Sequence, residues 1–115
     1  MAWYKKAKDS WKRFYKKLDS DGGINVFLVD GEYVRDNITI EFALGGHHYV
    51  YDQIPENEIW IEPTEHTRDF EDNLAHECYE RKLMKYEKME YDEAHQKAST
   101  LERDRREKEA EKGKV

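Results

Sequence analysis

A small α+β domain is what this sequence predicts: a small antiparallel sheet of about four strands, two C-terminal helices on one face, and a basic amphipathic N-terminal helix. Three observations lead there. Between Ile24 and Glu62 the apolar residues recur with a period of two, broken by Gly-containing turn signals. From Thr67 onward the period becomes helical. With 115 residues, 40% of them charged and 37% hydrophobic, there is room for one domain with a small core.

Taken in order, Trp3, Ala7, Trp11, Phe14 (or Tyr15) and Leu18 fall on one face of a helix over 3–18, with lysines on the others. Asp19-Ser20-Asp21-Gly22-Gly23 breaks it, so residues 1–20 read as a separate basic helix. The core domain is expected at 24–101. Ile24 to Val29 is a buried strand, and Asp30-Gly31 reads as a hairpin turn. Ile38 to Leu44 alternates as a second strand. Gly45-Gly46 reads as a two-residue turn into a third at His47 to Tyr51. Glu58 to Glu62 is the fourth, ended by Pro63. Thr64 or Thr67 is suited to cap a helix over 68–86. A second helix starts near Asp92, with Tyr91, Ala94, His95, Ala98 and Leu101 along one stripe. Beyond it, 102–115 reads as a charged tail, a fraying helix or disordered.

Charge and cysteine content exclude several classes. Residues 1–18 hold seven Lys/Arg and one Asp, which leaves the remainder strongly acidic under a net charge of −6. The body is therefore no nucleic-acid binder, while the basic aromatic head has the chemistry to meet a protein partner, a nucleic acid or an anionic membrane surface. One cysteine excludes an intramolecular disulfide and a thiolate metal cluster, and Cys78 reads as a small buried hydrophobe. With no transmembrane run and no apolar region in the N-terminal stretch to make a secretory signal, a soluble cytoplasmic protein is expected.

The chemistry concentrates in His76-Glu77-Cys78-Tyr79-Glu80 and in His95, fifteen residues on. On a helix, His76 and Glu80 lie within about 40° of each other, one turn apart. They sit among residues that must face inward, where a charge is costly unless paired or metal-bound. A short connection makes the following helix an antiparallel neighbour, and Ala94 and Ala98 let it come close enough to bring His95 in. His76, Glu80 and His95 would then bind a metal ion and leave a fourth position for water, with Glu77 beside them to take that water's proton.

This pattern resembles the zincin metallopeptidases, whose active helix carries His-Glu-x-x-His. The resemblance covers the helix around 76–80, the sheet before it and the helix after it. It implies zinc as the cofactor, His76 as first ligand, Glu77 as general base, His95 as downstream ligand, and a peptide or protein substrate. Glu80 stands where the family has its second histidine. Val29 to His95 also looks like uncharacterised small microbial and viral proteins, which adds no mechanism. Rival ligands are His47 and His48: across a Gly45-Gly46 hairpin, His47 shares the core-facing side with Tyr49 and Tyr51. Trp60, placed on an edge strand, would line a peptide-binding cleft.

Overall fold

The α2 helix is the element around which the rest is arranged. In the computed structural model, which describes residues 11–63 and 67–112, the order is β1 (Lys12–Leu18), β2 (Ile24–Val29), α1 (Gly31–Asn37), β3 (Gly45–His47), β4 (Glu58–Ile61), α2 (Thr67–Tyr86) and α3 (Tyr91–Lys112). The fold is α+β, with one four-stranded sheet in the order β1-β2-β4-β3 and two long C-terminal helices. Helix α2 lies on β3 and β4, and α3 packs against α2. No helix among the described residues is long and apolar enough to cross a membrane.

The sheet is buried on both faces, because strand residues alternate between them. Ile24, Val26, Ile59 and Ile61 face α2 and pack with Leu74, Cys78 and Leu18. Val29 and Trp60 face the other way and pack with Val34, Phe42 and Ile54, flanked by Trp11, Phe27 and Tyr51. That second layer is built from α1 and the loop between α1 and β4.

Several local expectations are corrected here. The N-terminal helix is not found in its described part: residues 12–18 form β1, an edge strand antiparallel to β2, and the part of that helix expected over 1–10 lies outside the described residues. A register shift between Phe14 and Lys16 explains the misleading pattern. It lets Phe14 sit opposite Phe27 on one face and Leu18 opposite Ile24 on the other, so the strand loses its period of two. Asp30-Gly31 is a helix start rather than a hairpin. Asp30 Oδ1 accepts from the backbone N–H groups of Glu32 (3.0 Å) and Tyr33 (3.3 Å), a strong N-cap. Helix α1 therefore carries the chain across the sheet, and β4 pairs with β2 in parallel, not antiparallel.

The strand expected at 38–44 is a loop. Phe42 is buried in the second layer, while Ile40 is 82% exposed and pairs with no strand. Gly45-Gly46 is no turn but most of β3, antiparallel to β4, and 48–50 turn away after it instead of extending to Tyr51. Both glycines answer close approaches. A Cβ on Gly46 would meet the Tyr51 ring at 2.6 Å, and one on Gly45 would lie 3.1 Å from Glu77 Cγ.

A second anchor ties the β1–β2 connection to α2. Arg81, 2% exposed, pairs with Asp21, donates to the Glu56 carbonyl at 2.6 Å and lies under the Tyr49 ring, while Lys85 also reaches Asp21 at 3.1 Å. Desolvation raises the Asp21 carboxyl, but hydrogen bonds from Arg81 and Lys85 outweigh it and hold its pKa below the usual value. A carboxylate with a depressed folded pKa contributes stability above its unfolded pKa and loses it as pH falls through the folded one. Asp21→Asn is expected to lower folding stability at neutral pH by about 3 kcal/mol, because it leaves a buried guanidinium without its counter-charge. Urea denaturation at neutral and acid pH checks this: the gap between wild type and variant should close as pH falls below about 4.

Candidate metal centre

Three elements and three histidines converge on one carboxylate. Glu80, 2% exposed, lies in the C-terminal half of α2 on the face turned to the sheet. His76 precedes it by one helical turn. His95 comes from the first turns of α3, which runs back along α2 after a four-residue connection. That approach is close because Ala94 and Ala98, both fully buried, are the residues at the contact. His47 ends β3. Its position opposite Ile59 puts it on the face of the sheet that α2 covers.

The contacts divide between the two carboxylate oxygens. Oε1 of Glu80 lies 2.9 Å from His47 Nε2. Oε2 lies 3.2 Å from His76 Nε2 and 2.9 Å from His95 Nδ1, and those two nitrogens are 3.2 Å apart. The His47 contact is an ordinary hydrogen bond of known direction. The Tyr49 backbone N–H donates to His47 Nδ1 at 3.2 Å, so the ring proton is on Nε2 and is donated to Glu80.

The triangle of His76 Nε2, His95 Nδ1 and Glu80 Oε2 is different. An ionised carboxylate brings no proton, and each ring nitrogen brings at most one. Three mutual contacts therefore have at most two protons between them, and if both rings donate to Oε2 their N–H groups face each other. A cation in the middle satisfies all three atoms. The edges of 2.9–3.2 Å also suit one, since four donors about 2.0–2.1 Å from a tetrahedral zinc are about 3.3 Å apart. His76, Glu80 and His95 form a group able to hold a metal ion. His47, Glu77 and Glu80 form a second such group, but ligation through His47 Nε2 would require moving its proton to the nitrogen that already accepts from Tyr49.

Electrostatics follow from this geometry. Burial raises the Glu80 carboxyl, yet hydrogen bonds from His47, His76 and His95 overcome it and hold its pKa at about 2. The hydrogen bond to Glu80, working against desolvation, raises His76. Glu77 has no such partners among the described residues: desolvation, then the Glu80 charge beside it, push its pKa up to about 8. Its carboxylate lies within 4.8 Å of Glu80 and His47 ligand atoms. No family model, curated protein or solved structure matches the chain.

The centre is open on one side. The His95 side chain is 49% exposed, whereas those of His76 and Glu80 are at 10% and 3%. A cavity of about 440 Å³ runs past His76, Glu77 and His95 between Leu44, Gly45 and Arg106. A smaller one of about 230 Å³ reaches the centre on the side of Tyr51 and Tyr91, and Glu77 and His95 border both. Tyr91 leans on the His95 ring, centroids 5.3 Å apart, and helps fix its orientation. A partly buried ligand set with a solvent-reachable face could hold an ion and leave room for something else on it.

Of the residues singled out in the sequence, His76, Glu80 and His95 meet, and Glu77 stands beside them. His47 arrives as the partner of Glu80. His48 points elsewhere: its Nδ1 contacts the Ile54 carbonyl at 2.8 Å. Trp60 does not border the site. It is 3% exposed in the interior strand β4, on the opposite face of the sheet, edge-on to Trp11 at 5.4 Å, with Nε1 donating to Glu58. The edge strand beside the centre is β3 instead. Glu102, in the stretch that reads as a tail, places its Oε2 3.5 Å from His76 Nδ1. Its spacing of seven from His95, two turns on the same helical face, was the available signal.

A carboxyl whose folded pKa lies above its unfolded value holds an extra proton in the folded state, so stability falls as pH rises between the two. Glu77 spans about 4.5 to 8 in this sense. His76, raised as well, contributes stability that is complete below its unfolded pKa of about 6.5 and is lost as pH rises through the folded one. In EDTA, the urea midpoint is therefore expected to decline from pH 5 to pH 8. Glu77→Gln should flatten most of that decline; an unchanged slope would remove Glu77 as its source.

Proposed function

We propose that this protein is a minimal zinc-dependent peptidase of the zincin type, or a relative with altered activity, acting on a peptide or protein substrate. The observation that carries this reading is the triangle of His76 Nε2, His95 Nδ1 and Glu80 Oε2, three donor atoms within 2.9–3.2 Å of one another, one of whose edges joins two ring nitrogens that cannot both donate to each other. His76, Glu80 and His95 would hold the ion, and His47 would fix Glu80 from behind. When bound, zinc lowers the pKa of a water and polarises a carbonyl.

Glu77 supplies the proton chemistry. It follows a ligand directly, borders both cavities and is kept from bulk water. Its carboxyl, at about 8 without an ion, would be drawn down and ionised by a cation held on His76, Glu80 and His95, and it would then be placed to take a proton from the attacking water and to pass it to the leaving amine. A glutamate in place of the family's second histidine makes the ligand set more anionic.

A second reading has its own support. Among the described side chains of α3, Ala94 and Ala98 are the buried ones, so little apolar surface holds this helix on α2. An ion bridging His95 to His76 and Glu80 would then staple α3 in place without catalysis, and binding energy would become folding energy. A binding role for the exposed basic strand β1, whose Phe14 is 54% exposed, is compatible with it.

Elemental analysis after purification without chelator is expected to find one zinc per chain in wild type and none in His76→Ala. Glu77→Gln should keep the zinc and lose peptide cleavage by about 10²- to 10⁴-fold. Metal-free wild type would end both readings, whereas stoichiometric zinc with no cleavage of a diverse peptide library would favour the staple.

A further inference from the structure

His76 has one ring nitrogen accounted for and one not. Nε2 faces Glu80 and His95, while Nδ1 is buried without a hydrogen-bond partner. A histidine that binds a metal through Nε2 carries its proton on Nδ1, and that proton needs an acceptor to fix the tautomer and the ring. The group facing Nδ1 is the Glu102 carboxylate, with Oε2 at 3.5 Å and the side chain three-quarters buried.

Glu102 is itself held. Arg106, one turn further along α3, donates from Nη2 to Glu102 Oε1 at 3.3 Å and from Nε to Asp72 Oδ2 on α2 at 3.0 Å. One Glu102 oxygen is thereby engaged and the other is left toward His76. A shift of about 0.6–0.8 Å brings it to the usual length of a charge-assisted hydrogen bond.

We propose that Glu102 is the positioning residue of the metal centre: its carboxylate accepts the Nδ1 proton of His76 and so presents Nε2 to the ion. This rests on His76, Glu80 and His95 being a zinc site. It also makes α3 a double contributor, with His95 as ligand and Glu102 as the support for a ligand on the neighbouring helix.

The test is zinc affinity by competition with a chromophoric chelator, together with ¹⁵N NMR of the histidine rings in the zinc-loaded protein. Four proteins are compared: wild type, Glu102→Ala, Glu102→Gln and Glu107→Ala. Glu107 is an exposed glutamate on the same helix, and its loss changes the net charge equally. Glu102→Ala should weaken zinc binding about 10- to 100-fold. Glu102→Gln, which keeps an acceptor oxygen without the charge and is nearly isosteric, should recover part of the loss and serves if the alanine variant does not fold. The His76 Nδ1–H resonance should be slow to exchange in wild type and lost to exchange in Glu102→Ala. If both Glu102 variants bind zinc as Glu107→Ala does and keep that resonance, the positioning role is overturned while the zinc site stands. If wild type binds no zinc, or binds it equally well in His76→Ala, the site itself is overturned and this role with it.

Discussion

One buried carboxylate organises this structure. Glu80 has left water, and its charge is tolerable only because each oxygen is met by imidazole nitrogen: His47 on one, His76 and His95 on the other. Removing any of these partners exposes the others to the cost of burying an unpaired charge. The three histidines belong to a strand, to the same helix and to the following helix, so the requirement to surround one carboxylate fixes how β3, α2 and α3 sit together. The loop before β3 is bent to suit. Leu44 takes a left-handed backbone conformation (φ 59°), uncommon for a leucine, and its carbonyl accepts from Glu62 as the chain enters β3.

The remainder of the fold serves to hold α2 rigid for that purpose. The sheet gives it an aliphatic bed of Ile24, Val26, Ile59 and Ile61, and Arg81, one residue past Glu80, pins it from the side to Asp21 and to the Glu56 carbonyl. The opposite face of the sheet is shielded by aromatic residues, where Trp11 stacks on Tyr33 at 4.9 Å. A sheet covered on both sides gives a small chain a core larger than its composition suggests. It also explains why β2 and β4 tolerate a parallel pairing, which is seldom left facing water. Helix α3 is the exception to this rigidity, since it rests on alanines and on polar contacts at the centre.

What could be read from the residues divides by range. The α2 span and the start of α3 were legible because their signals are local: helical spacing of apolar residues, acidic residues at the start of α3 and no Gly or Pro within either, whereas the continuation of α3 to Lys112, through a stretch that reads as a tail, was not. The clustering of candidate ligands was legible for a similar reason. Spacing four on a helix puts His76 and Glu80 on one face whatever the rest of the chain does. Strands were harder. A bulge in β1 disguised it as a helix, Asp30-Gly31 matched a hairpin as well as the N-cap it is, and Ile38 to Leu44 alternated without a partner strand. Trp60 was read as an edge residue because edge or interior depends on which strand lies alongside, and no strand's own sequence contains that.

The sequence alone determined the class of the fold, the α2 helix, the start of α3 and the placing of His76 and Glu80 on one helical face. Periodicity and side-chain character reside in neighbouring residues, and their consequences need no distant contact. Tertiary structure decided the parallel pairing, the strand that flanks the centre, the support of Glu80 by His47 and the placing of Glu102 against His76. Each of these joins segments far apart along the chain, and their outcome depends on which surfaces are buried together.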